Sequence, residues 1–203
     1  MSALGPLRVK VRRAVAGDYP AMLALQEANL LDNLSDQARA SGFLSARFNA
    51  EQFGAMNDGC AIVVAELDGR LAGYACCCEV EFGRQFPILA AMISTFARHT
   101  FMGTALIDTR VALYGPVCVD GELRGRGVFR QLIAGVKAEL ADRYDAAVAF
   151  IAKSNSHSLQ AHVDGLGMNV IGDFSMSGRN FWIVAFGIPR SDLGCGVGSR
   201  ALA

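Results

Sequence analysis

The chain has 203 residues, with 19 Lys plus Arg against 19 Asp plus Glu, so its formal net charge is zero. A hydrophobic share of 52% is enough for one core and excludes a disordered chain. Zero net charge excludes a general nucleic-acid coat, which needs a basic excess.

A mean hydropathy of +0.30 raises the question of a membrane span. The best candidate, residues 86–97, falls short of the roughly 20 apolar residues a spanning helix needs, and it ends at Arg98 and His99. The first residues carry no apolar run of the secretory type. A cytoplasmic protein with no membrane and no nucleic-acid partner is therefore expected. Cysteines occupy positions 60, 76, 77, 78, 118 and 195, with no C-x-x-C pair. They read as small buried hydrophobes in a reducing compartment. The three histidines do not pair with them at ligand spacing, so no metal is expected.

Val9 to Val15 alternates apolar and basic residues, as a half-buried strand does. Gly17-Asp18 can cap an amphipathic helix from Tyr19 to Leu31. Residues 32–58 are polar with scattered Phe43, Leu44, Phe48 and Phe53, which suggests a second helical segment or a lid. Ala61 to Leu67 and Arg70 to Val80 read as strands joined by the hairpin signal Asp68-Gly69. Cys76 and Cys78 then share one face of the second strand and Cys77 takes the other. Residues 82–109 mix helical and loop signals. Val111 to Asp120 is the next strand. Its Gly115-Pro116 pair predicts a bulge or splay, because proline has no N–H for the ladder.

Residues 121–127 form a Gly- and Arg-rich loop, and Val128, Leu132, Val136 and Leu140 then follow helical spacing. Ala146 to Ala152 is a short buried strand. Asn155 to Leu166 is a further helix candidate, and Met168 to Val170 and Asn180 to Phe186 form a closing strand pair. Residues 191–203 make a Gly-rich tail expected to be mobile. Residues 1–190 read as one mixed α/β domain.

The loop before the helix at Val128 carries the chemistry. A strand, a Gly-rich loop and a helix N-terminus together make an anion site, with free N–H groups and the positive end of the dipole. Gly125 and Gly127 permit close backbone approach. Arg124, Arg126 and Arg130 offer guanidinium donors. The loop is neither a Walker A motif nor a dinucleotide fingerprint. Spacing alone does not separate this reading from a solvated turn, and a nucleotide phosphate would suit the same loop.

Residues 117–132, VCVDGELRGRGVFRQL, resemble the acetyl-CoA signature of the GCN5-related N-acetyltransferase (GNAT) superfamily, whose pattern is Arg/Gln-x-x-Gly-x-Gly/Ala. Arg124 and Gly127 match, and Phe129 stands where the family has Gly or Ala. Residues 155–172 resemble the following helix of that family. Asn155 and Ser158 match, His162 stands where the family often has Tyr, and Gly167-Met168 falls one residue late. The resemblance spans about residues 8–187.

The resemblance implies a single domain with a mixed, mostly antiparallel twisted sheet. Helices cover both faces, and a V-shaped splay separates two central parallel strands. It implies acetyl-CoA as cosubstrate, docked between the strand ending at Asp120 and the strand at 146–152. Backbone of Arg124, Gly125, Arg126, Gly127, Val128 and Phe129 would cradle the pyrophosphate. Backbone of Val117, Cys118 and Val119 would pair with the pantetheine, and Asn155, with Ser158 beside it in the motif, would contact the cofactor.

The implied reaction is acetyl transfer to a primary amine, on a small molecule or a protein, by direct attack in a ternary complex. A non-catalytic acyl-CoA sensor is the alternative. His162 is the first choice for the acid and Tyr114 the second. Glu79, with Glu81 on the same strand face, is a candidate base. Cys118 reads as a packed thiol rather than a nucleophile. A homodimer is a further family-level expectation.

Overall fold

The protein is described by a computed structural model covering residue 5 and residues 7–190. The tail at 191–203, with Cys195, lies outside the described residues. In chain order the strands are β1 (Lys10–Arg13), β2 (Ala61–Leu67), β3 (Arg70–Glu79), β4 (Thr100–Phe101), β5 (Thr104–Ala105), β6 (Val111–Val119), β7 (Ala146–Ala152), β8 (Asn169–Met176) and β9 (Arg179–Gly187). The helices are α1 (Tyr19–Glu27), α2 (Asp36–Arg39), α3 (Ala50–Gly59), α4 (Val80–Gly83), α5 (Pro87–Ile93), α6 (Val128–Leu140) and α7 (Ser156–Leu166).

Seven strands form one sheet in the order β1-β2-β3-β6-β7-β9-β8. All neighbours are antiparallel except β6 and β7. Strand alternation divides the apolar residues into two cores, one on each face of the sheet. Ile62, Val64, Cys76 and Cys78 meet Met22 of α1 and Phe53 and Met56 of α3. Val63, Ala65, Ala75 and Cys77 meet Val128, Leu132, Val136 and Leu140 of α6. The three consecutive thiols thus divide between faces as their alternation requires.

Buried amides tie the elements together. Asn57 donates from Nδ2 to Ala14 O at 2.9 Å and accepts at Oδ1 from Ile62 N–H at 3.0 Å, which locks α3 to β1 and β2. The start of α3 is a capping box, with Asn49 Oδ1 accepting from Gln52 N–H and Gln52 Oε1 from Asn49 N–H.

Local reading and structure differ in five places, one of them the closing pair, whose first strand runs on to Met176 instead of ending at Val170. The first helix stops at Glu27, because the chain turns at Ala28 and Asn29 to meet Leu44. The β3 strand stops at Glu79, and Glu81 belongs to α4, so Glu79 and Glu81 do not share a strand face. Gly83 of α4 sits so close to Leu113 that a Cβ would collide with its side chain, and this packing bends the chain off the sheet. Residues 32–58 resolve into α2, an extended segment and α3, and residues 82–109 into α4, α5 and the small β4-β5 hairpin.

Gly115-Pro116 behaves as the missing proline N–H requires. Tyr114 pairs with Cys77 and Val117 with Ala75, so two residues of β6 face the single Cys76 of β3. Gly115 takes φ 116°, which favours glycine. After the bulge, side-chain parity is reversed: Leu113 and Cys118 share a core, as do Tyr114, Val117 and Val119.

Gly135 lets α6 lie against the sheet, since a Cβ there would fall 2.6 Å from Val11 Cγ1 and 2.8 Å from Val63 Cγ1. Gly135→Leu should destabilise the protein by about 1–3 kcal/mol through overpacking. A urea titration would show a lower midpoint with an unchanged slope.

Candidate functional site

The site begins where β6 and β7 part. Their parallel pairing ends at Leu113 with Val148. Beyond that point β7 pairs with β9 and β6 with β3. The β6 edge from Tyr114 to Val119 therefore faces an open cleft with unpaired backbone groups, a template for an extended ligand. Two cavities fill the cleft. One, of about 360 Å³, runs along Val117, Cys118 and Val119 to the loop at 123–130 and to α7. The other, of about 250 Å³, lies between Phe43–Phe48, residues 86–89, Tyr114 and β7. Phe43, Leu44, Val117, Ser158 and His162 border both.

The loop that opens α6 has the expected form. Gly125 and Gly127 take φ of 71° and 81°, and Gly127 is the N-cap. The first intrahelical bond runs from Gln131 N–H to Gly127 O, so the amides of Val128, Phe129 and Arg130 lack a helical partner. The arginines do something other than wait for an anion. Arg124 lines the cleft, but its guanidinium donates to Asn29 Oδ1 at 2.6 Å, Ser41 O at 2.6 Å and Val119 O at 3.3 Å. Arg130 donates to Gly165 O at 2.7 Å. Arg126 does not border either cavity; its backbone O accepts from Leu7 N–H, and its buried Nε has no partner.

Across the cleft, Asn155 caps α7, with Oδ1 accepting from Ser158 N–H at 3.2 Å. Its Nδ2 donates to Phe43 O at 3.1 Å. Residues 41–48 thus form a strap over the cleft. Asn155 and Arg124 hold its near end, and buried Gln26 clamps Phe48, donating to its O at 2.8 Å and accepting from its N–H at 2.9 Å. The strap falls in the stretch read above as a helical segment or a lid, but none of its residues was expected among the site residues. Its signal was the run of Phe43, Leu44 and Phe48 in a polar stretch.

His162 stands at the division between the cavities. Its Nδ1 lies 2.7 Å from Ser158 O, a carbonyl that can only accept, so Nδ1 carries the proton and Nε2 is a lone-pair acceptor. Burial pushes its pKa below the usual 6.5, and the Ser158 bond opposes this. A neutral ring with an accepting nitrogen suits a base, which reverses the expected role of acid. Phe129 packs edge-on against His162 at 4.9 Å, so the two departures from the family pattern are one contact. Tyr114 packs edge-on against the other side of His162 at 5.9 Å. Its hydroxyl is buried with no partner, and burial holds the phenol well above its ordinary pKa.

One expected assignment changes, that of Glu79, while Cys118 keeps the packed-thiol role expected of it. Glu79 borders neither cavity: it lies against Gly59, at the end of the sheet where Ala112 pairs, and is not placed to act as a base in the cleft. Cys118 points to Leu25 O at 3.7 Å, and burial pushes its thiol up to about 12. Only its backbone suits the cleft. Among the described residues, no group of three His, Cys, Asp or Glu is placed to hold a metal ion, and no helix is long and apolar enough to cross a membrane.

A family model described as acetyltransferase (GNAT) family matches residues 28–168. The chain belongs to the GNAT acetyltransferase family. It is an acetyl-CoA-dependent acyltransferase, and acetyl-CoA is the cosubstrate of this fold. Solved structures share the architecture. An N-acetyltransferase from Staphylococcus aureus Mu50 is 17% identical with TM-score 0.60, covering 90% of this chain and 100% of that one. The yncA protein of Salmonella typhimurium, solved with its cofactor acetyl-CoA, is 16% identical with TM-score 0.55, covering 94% and 99%. The ribosomal-protein-S18-alanine N-acetyltransferase of Escherichia coli is 12% identical with TM-score 0.57, covering 91% and 96%. At such identities the likeness is one of fold. No curated protein matches the sequence significantly.

The neutral His162 of this GNAT protein makes a signed prediction. Its folded pKa is depressed, so its contribution to stability is complete above about pH 6.5 and is lost as pH falls through the folded value. Urea midpoints between pH 7.5 and 5 should fall more for the wild type than for His162→Gln. Ring-proton NMR should give His162 a midpoint below that of free histidine.

Proposed function

We propose that this acyltransferase moves an acetyl group from acetyl-CoA to a primary amine, in a ternary complex and without an acyl-enzyme. One observation carries the reading: the unpaired β6 edge runs from the orphaned Tyr114 hydroxyl to the glycine loop that opens α6. An extended ligand ending in a pyrophosphate needs that combination of strand edge and anion-binding helix start. The buried, partnerless hydroxyl fits a polar atom of a ligand, since such groups are seldom left unsatisfied.

In this reading the backbone of Val117, Cys118 and Val119 holds the pantetheine. The backbone of Gly125, Gly127, Val128 and Phe129 holds the pyrophosphate. Arg124 acts indirectly, fixing the loop to Asn29 and to the strap. Asn155 acts the same way from the other side, and Ser158 holds His162 through its carbonyl. Acetyl-CoA supplies an acetyl group activated as a thioester.

His162 Nε2 accepts a proton from the amine as its nitrogen bonds to the carbonyl carbon. The Tyr114 hydroxyl donates to the sulfur as the C–S bond breaks. The products are an acetamide and the free thiol, and passage of the imidazolium proton to the Tyr114 phenolate restores both groups to their starting forms. Direct attack is supported by Cys118, the thiol nearest the cleft, whose raised pKa and contact with α1 leave it a poor nucleophile. The five described cysteines are all buried and free, which suits a reducing compartment, and we assign the protein to the cytoplasm.

Gly127→Glu should abolish acetyl-CoA binding in calorimetry and also lower the thermal midpoint of the apo protein, because a side chain at φ 81° is strained. The new carboxylate would occupy the anion site. Retained affinity would remove the loop from the site. Tyr114→Phe and His162→Phe should each lower kcat by roughly 10²-fold or more, the usual scale of general acid–base catalysis, with acetyl-CoA affinity kept. Unchanged turnover would dismiss the residue concerned.

A further inference from the structure

The second cavity has a chemistry of its own. It opens off the reacting end of the cleft at Tyr114 and His162 and extends away from the glycine loop. Its walls are Phe43, Leu44 and Phe48 of the strap, Phe86 and Ile88 at α5, and Phe150 of β7. Among the described residues, no aspartate or glutamate borders it, and Arg47 is the single residue of permanent charge there. Arg47 is paired with Glu27 at 3.0 Å, with both side chains well exposed. Two of the other polar lining residues are already engaged. Asn155 holds Phe43 O, and Ser158 holds His162 through its carbonyl.

The walls are built rather than incidental. Phe48 packs edge-on against Phe86 at 5.2 Å, Phe82 lies 5.4 Å behind Phe86, and Phe53 lies 6.3 Å behind Phe48. Gln26 clamps the Phe48 backbone from within the core. An aromatic wall fixed in this way keeps its shape when empty, as ligand sites commonly do.

Taking the acetyltransferase reading as given, we propose that this cavity is the acceptor site and that the acceptor is a monoamine with an apolar aryl or alkyl body, bound as the free base. An ammonium entering this pocket would shed water and meet no carboxylate, which is strongly unfavourable. A polyamine or aminoglycoside would bring further ammonium groups against Phe43, Phe86 and Phe150. A peptide N-terminus could use the open strand edges, but its remaining backbone groups would meet Phe43, Phe48, Phe86 and Phe150 on the other walls. An aryl or branched alkyl body instead buries its surface on the aromatic wall. Its amine reaches the lone pair of His162 Nε2. Nitrogen then bonds to the acetyl carbon, the C–S bond breaks, and the amine proton passes to the ring, as in the reaction above.

The experiment uses the full chain and three readouts. Acetyl-CoA binding is measured by calorimetry. Free-thiol release is measured with acetyl-CoA and 2-phenylethylamine, hexylamine, spermidine, an aminoglycoside or an Ala-initiated hexapeptide. Thermal protection by each amine is measured with desulfo-CoA bound, which needs no turnover. The expected result is kcat/KM at least 100-fold higher for phenylethylamine or hexylamine than for spermidine, the aminoglycoside or the peptide, with matching protection. Ile88→Asp should lower kcat/KM for phenylethylamine at least tenfold and raise that for spermidine, with acetyl-CoA affinity unchanged.

A preference for spermidine, the aminoglycoside or the peptide would overturn the acceptor class and leave acetyl transfer standing. Hexanoyl-CoA turned over tenfold faster than acetyl-CoA, with no discrimination among amines, would overturn it by assigning the cavity to the acyl chain. Protection by phenylethylamine without thiol release would support the acceptor class while counting against catalysis. Acetyl-CoA binding with neither protection nor turnover would overturn both.

Discussion

The parting of β6 from β7 is the constraint on which the rest of the molecule depends. Parallel strands normally bury both faces and stay paired. Here the pairing stops after Leu113 and Val148, and the bulge at Gly115-Pro116 follows at once. Proline offers no ladder donor there, and the extra residue reverses the parity of the strand. Three consequences follow from that one slip. The edge at Val117 to Val119 is left for a ligand. Cys118 turns into the α1 core. Tyr114 stays on the opposite face beside His162. A regular strand would have closed the cleft and removed the site.

The strap at 41–48 converts an open cleft into two cavities joined at His162. It is held by side chains from three distant parts of the chain: Gln26 of α1, Arg124 of the glycine loop and Asn155 at the start of α7. Arg124 is the informative member. Its guanidinium links the loop to Asn29 and Ser41, so the two halves of the site share one hydrogen-bonded frame. A half-buried guanidinium bonded to three acceptors is costly to disturb from either side. Loop and strap are thereby positioned together; in the proposed reaction that frame would orient the two reactants against one another.

The electrostatics of the cleft are defined by burial more than by charge. His162, Tyr114 and Cys118 are all shifted toward their neutral forms, with burial as the first cause. Among the described residues, no carboxylate borders either cavity. A neutral, aromatic-walled site discriminates by shape and desolvation rather than by ion pairing. The glycine-loop end differs because backbone N–H groups and a helix dipole supply its positive potential, with Arg124 and Arg130 engaged elsewhere.

What the sequence by itself determined is what short-range physics controls. Alternation sent Cys77 to one core and Cys76 and Cys78 to the other. Asp68-Gly69 turned the β2-β3 hairpin, and Gly115-Pro116 marked the bulge. The glycines before Val128 marked the start of α6. Each is decided by a few neighbouring residues, so spacing and residue type suffice. Contacts between distant parts of the chain lay beyond that reach. Arg124 meets Asn29 across 95 positions, and Asn155 meets Phe43 across 112. Pairing register carried Glu79 to the far end of the sheet, and one carbonyl, Ser158 O, settled which nitrogen of His162 is free. Tertiary packing alone decided these, because a side chain's chemistry is set by the partners the fold brings to it and not by its neighbours in the chain.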